Sequence, residues 1–107
     1  MDPVCLVVST LPDRDSALAL AHALLEQRIA ACVNLLSECA SVYRWQGEIE
    51  TANEVPMLIK TRESLYPQVE ELIRRLHPYE VPEVVMLRVS GGLPGYLEWV
   101  SQETVTG

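Results

Sequence analysis

Ser41-Val42-Tyr43-Arg44-Trp45-Gln46-Gly47-Glu48-Ile49-Glu50 reads as an extended arm, a turn at Gly47 and the first residues of a returning arm. Tyr43 and Trp45 are two apart, so they share one face of the ribbon, while Glu48 and Glu50 mark a solvated stretch beyond the turn. Ala30 to Leu36 is a further extended stretch before it, and Met57 to Ile59 supplies a buried end to the return. A long hairpin results. Pro56 cannot donate to a ladder, so a bulge or an unpaired edge is expected beside it.

The flanks of this hairpin are matched. Val4 to Ser9 is a short β-branched run with the character of a buried strand, closed by Thr10-Leu11-Pro12. Asp13 is a candidate N-cap for a helix over Asp15 to Gln27, whose polar stripe is only Asp15, His22 and Glu26, so burial round most of its circumference is expected. After the hairpin, Leu65, Val69, Leu72, Ile73 and Leu76 fall on one face of a second helix, with Glu70/Arg74 and Glu71/Arg75 placed as i, i+4 pairs. Pro67 fits only its first turn, which starts the helix near Ser64 or later. Val84 to Val89 is a fourth strand, Gly91-Gly92 breaks the chain, and Pro94 opens a short helix with Tyr96, Leu97 and Val100 on one side.

The order β-α-β-β-α-β with a short C-terminal helix predicts an α+β, ferredoxin-like sandwich in a single domain over 1–107. Both long helices would lie on one face of the sheet. The other would still have to hide Val33, Leu35, Val42 and some of Tyr43, Trp45 and Ile59, with only the last helix to cover them. A homo-oligomer follows as an expectation, since a domain of this size leaves about a third of its unfolded surface exposed even when well folded.

Composition narrows the function. The 107 residues are 49% hydrophobic, enough for one compact core. Fifteen acidic residues against eight basic give a net charge of -7, and the longest basic run is Arg74-Arg75, which excludes a phosphate-backbone partner such as nucleic acid. Met1-Asp2-Pro3 has no basic leader, and Val4 to Val8 is too short for a signal or a membrane span, so a cytoplasmic protein is expected. Cys5, Cys32 and Cys39 match no metal or redox spacing. Cys5 and Cys32 read as buried apolar thiols, and Cys39, in a polar stretch, is the most accessible. No Ser-His-Asp set, phosphate-cradling glycine loop or metal-activated water motif is present, so no enzyme is expected.

Chemistry concentrates in Leu76-His77-Pro78-Tyr79-Glu80-Val81-Pro82-Glu83. The two prolines hold His77 and Val81 extended and leave the loop few shapes. His77 is either a metal ligand or a structural ring that caps the helix end or bonds across a subunit boundary. Lys60 ends a strand before a helix N-terminus and would either hold an anion or pair with Glu54 or Glu80. The aromatic set Tyr43, Trp45, Tyr79, Tyr96 and Trp99 suits interface packing or the wall of a pocket. An inter-subunit cleft of Glu54, Lys60, Tyr79, Glu80 and Trp99 is the resulting candidate, with Tyr43 and Trp45 as interface candidates.

Several of these pieces together resemble the CutA divalent-cation tolerance family: Ala31-Cys32-Val33-Asn34, Ser41 to Gly47, Glu54, Lys60-Thr61, His77 to Glu83 and Tyr96-Leu97-Glu98-Trp99, in order over nearly the whole chain. The resemblance implies a tight homotrimer of ferredoxin-like subunits joined by the long hairpin, and a role in tolerance of copper and other divalent cations. It implies no established catalysis. Its trimeric shape also suggests, by analogy with PII signalling proteins, a sensor or scaffold that takes a small anion or a partner protein in its clefts. The copper ligands proposed for the family are a Cys at the end of the first strand and a His pair before Pro-Tyr. This chain has Ser9 at the first position and Leu76-His77 at the second, which leaves His77 as the one metal-ligand candidate.

Overall fold

A computed structural model describes residues 2–105; Met1, Thr106 and Gly107 lie outside it. The elements run β1 (Val4–Leu11), α1 (Arg14–Glu26), β2 (Cys32–Leu35), β3 (Cys39–Trp45), β4 (Glu48–Arg62), a 3-10 turn (Glu63–Leu65), α2 (Tyr66–Leu76), β5 (Val84–Arg88) and α3 (Pro94–Gln102). The sheet order is β2-β4-β1-β5, with β3 also paired to β4. All pairings are antiparallel. With β2 and β3 taken as one interrupted strand, this is the ferredoxin-like topology the sequence predicts.

The interruption sits where Pro56 demands it. Leu35 pairs with Met57 and Cys39 with Glu54, so β2 and β3 use four steps where β4 uses three, which is one extra residue and therefore a bulge. Pro56 accepts at its carbonyl from the Leu36 N–H at 2.9 Å. Backbone N–H and C=O of one strand residue point the same way, so the missing Pro56 donor faces the bulge and β1 loses nothing. A proline is thereby accommodated in a central strand.

Cys5, Val7 and Leu11 of β1, and Val55, Met57 and Ile59 of β4, form the core with Ala17, Leu20, Ala21 and Leu24 of α1 and Val69, Leu72 and Ile73 of α2. Asp13 caps α1 as its sequence suggests, accepting at Oδ1 from the Ser16 N–H at 2.7 Å. The helix is less enclosed than expected, however. Leu18 and Leu25 are exposed because a helix on one face of a sheet has a single inward stripe. In α2, Arg74 pairs with Glu71 one turn back rather than with Glu70, whose carboxylate instead accepts from the Tyr66 hydroxyl at 2.7 Å.

The uncovered face also differs in its membership from the sequence reading. Val33, Leu35 and Ile59 are on the helix side, against the core. Register puts Leu6, Leu58, Val85 and their neighbours on the opposite side, where Val85 and Leu87 are about half exposed. The bulge fixes which parity of β2 faces inward, and alternation alone could not show it. Only α3 crosses this side, near Arg62, whose Nε donates to Thr104. Among the described residues no helix is long and apolar enough to cross a membrane.

Candidate functional site

The end of β1, the arms of the β3–β4 hairpin and the loop after α2 border an open cavity of about 690 Å³. The loop is held in place by His77. Its ring is buried, 7% exposed. Nε2 lies 2.7 Å from the Thr10 carbonyl oxygen, and the Tyr79 N–H donates to Nδ1 at 3.0 Å. A carbonyl can only accept and an amide N–H can only donate, so the neutral ring carries its proton on Nε2. The ring also packs on Tyr79, centroids 4.8 Å apart. Within one chain the ring thus ties β1 to the loop through its two nitrogens.

Tyr43, Trp45 and Tyr79 form aromatic walls of the cavity. Glu50, Glu54, Glu80 and Glu83 supply its carboxylates. Glu54 is the deepest, 7% exposed, while the other three are exposed residues. The Tyr79 phenol is raised above its ordinary range, first by burial and then by its hydrogen bond to Glu54 and that group's negative charge. Among the described residues no basic side chain lines the space.

Of the five cleft candidates, Glu54, Tyr79 and Glu80 are brought together and Lys60 and Trp99 of the same chain are not. Lys60 is six residues along β4 from Glu54, roughly 20 Å of strand. Its ammonium donates to the Asn34 side chain instead of pairing with Glu54 or Glu80. Trp99 lies on α3 beside Tyr96, ring centroids 5.7 Å apart. Tyr43 and Trp45, expected at an interface, line the cavity with Tyr79. Glu50 and Glu83 were not among the cleft candidates of the sequence. Glu50 was legible through the turn, because a two-residue connection pairs Trp45 with Glu48 and Tyr43 with Glu50, putting Glu50 on the face of the aromatics.

A copper ion does not fit the family ligand positions within this chain. Both nitrogens of His77 already bond the backbone. Ser9 points into the helix-side core, fully buried, its Oγ without a hydrogen-bond partner, and Leu76 has no donor atom. Among the described residues no three His, Cys, Asp or Glu side chains converge as a metal site. Cys5, Cys32 and Cys39 are free thiols, buried, half-buried and exposed respectively.

Comparison with known proteins gives one answer. The family described as CutA1 divalent ion tolerance protein matches residues 5–103. Mouse "Protein CutA" is 50% identical over 95 residues, 89% of this chain and 54% of that protein. The "Divalent-cation tolerance protein CutA" of Thermus thermophilus is 42% identical over 98 residues, 92% of this chain and 95% of that one. The crystal structure of CutA1 from Oryza sativa superposes with a TM-score of 0.96 at 38% identity, covering 99% and 97% of the two chains. The chain thus spans about half the length of its mouse relative and nearly all of the bacterial one.

Proposed function

The chain belongs to the CutA1 divalent ion tolerance family, and from that premise we propose that it works in the cytoplasm as a homotrimeric, non-catalytic binding protein of the divalent-cation response, taking its ligand in the cleft walled by Tyr43, Trp45, Tyr79 and Glu54. The carrying observation is the placement of His77. Its ring nitrogens hold the backbone at the floor of the cleft, so it shapes a pocket and has no free lone pair to offer a metal. The aromatic and carboxylate walls have the size and mixed character of a small-ligand site. Trimer formation is supported by the open sheet face and by the hairpin, whose Val42 and Ile49 are 68% exposed.

The alternative, copper held by His77, requires the ring to abandon Thr10 or Tyr79. The deciding experiment is copper titration under chelator competition, wild type against His77→Ala at matched oligomeric state, in reducing buffer. We expect no micromolar binding that depends on His77. Binding at that strength, lost in the variant, would overturn the cleft reading and restore a copper site.

A further inference from the structure

Glu54 stands out in the cleft because its carboxylate is more than nine-tenths buried and has no ion-pair partner among the described residues. The Tyr79 phenol, on the same lining, brings no charge. Burying a carboxylate without a counter-charge is unfavourable, and a cation admitted to the site would offset that cost. Three further carboxylates, Glu50, Glu80 and Glu83, stand around the same space, with nothing basic on its lining.

The size and the walls say which cation. The carboxylates do not converge on a point, so a bare metal ion would not find a coordination shell among them. The space is about 690 Å³, far more than an ion fills. Tyr43, Trp45 and Tyr79 line it, and the π-surface of a tyrosine or tryptophan attracts ammonium and guanidinium groups that carry hydrocarbon with them. Separated carboxylates and aromatic walls suit a molecule that spreads its positive charge over several ångströms.

We infer that the cleft binds a small organic cation bearing protonated amine or guanidinium groups, with Glu54 as the buried counter-charge, Glu80 as a second anchor and the three rings as its walls. This rests on the cleft being the ligand site, which the copper titration above decides independently. Lys60 of the same chain, the ammonium offered for an anion, is not on this lining.

The test is calorimetric titration of the full chain with agmatine at constant ionic strength, comparing wild type, Glu54→Gln and Glu80→Gln. Glutamine keeps the size of the side chain and removes the charge. Saturable binding near one agmatine per chain is expected, weakened at least tenfold by Glu54→Gln and several-fold by Glu80→Gln, and unmoved by equimolar Mg²⁺. Absence of saturable binding, equal affinity in both variants, or displacement by equimolar Mg²⁺ would each overturn it. So would a wild type that ignores agmatine while Glu54→Gln alters its sedimentation, because a basic side chain of a second copy would then be the occupant. If Glu54→Gln fails to fold, Glu80→Gln combined with Glu83→Gln, both on exposed loop, reads the same difference.

Discussion

Burial raises the Cys5 thiol from 9.0 to about 11, with the charges of Glu63 and Asp2 adding to the effect. The residue is wholly enclosed between β1 and the helices, so its thiolate is disfavoured in the folded chain and ordinary in the unfolded one. Below pH 9 the thiol is protonated in both states and its contribution to stability is complete. Between pH 9 and 11 only the unfolded chain releases the proton, and stability falls by about 1.4 kcal/mol per pH unit, about 2–3 kcal/mol in all. Urea denaturation at pH 8.5 and pH 11, at one protein concentration, should show a larger loss for wild type than for Cys5→Ala; equal losses would remove the thiol as the cause. The burial of Cys5 was legible from its place in an apolar strand. The role of His77 was legible only as a pair of alternatives, because choosing between them needs the Thr10 carbonyl and the Tyr79 N–H, one of which lies 67 residues away in the chain.

The hairpin turn shows how far the elements were readable. Gln46 and Gly47 have φ of 50° and 83°, both left-handed, and Trp45 pairs with Glu48 across them. That is a two-residue type I′ connection, whose twist matches the strands it joins and which favours Asn-Gly. Glycine reaches such a φ freely, whereas glutamine at φ 50° is strained. Gln46→Asn should therefore stabilise the protein by about 0.5 kcal/mol, seen as a rise in thermal midpoint of a few degrees, while Gly47→Ala should lower it. A fall in the midpoint of Gln46→Asn would show that the turn is constrained by contacts other than its own backbone. Gly47 and Pro56 each announced a local event in the sequence, a turn and a bulge, and both occur. The face to which Val33, Leu35 and Ile59 belong was not announced, because the residue inserted between β2 and β3 resets the alternation and its position is set by pairing with β4.

At the scale of the molecule, the hairpin makes the chain too long for its mass. The radius of gyration is 14.3 Å and the longest extent 44 Å, against about 13 Å for an average compact domain of this length. Residues 42–51 are exposed on both faces of the ribbon, and a two-stranded ribbon alone is marginal in water. The sheet face bearing Val85 and Leu87 is similarly open, and exposed apolar surface of this kind marks an interaction site. Two separate apolar surfaces on one chain, an arm and a sheet face, allow copies to interlock around an axis. Val85 lies in the row Val8–Leu58 at the middle of that face, so a carboxylate there would have to be desolvated on assembly yet would disturb little in a lone chain. Sedimentation at micromolar concentration should give a trimer for wild type and a folded, smaller species for Val85→Glu. A trimer that persists in the variant would place the contact on the arm alone, and a wild type that is monomeric would mean that the cleft is complete within one chain.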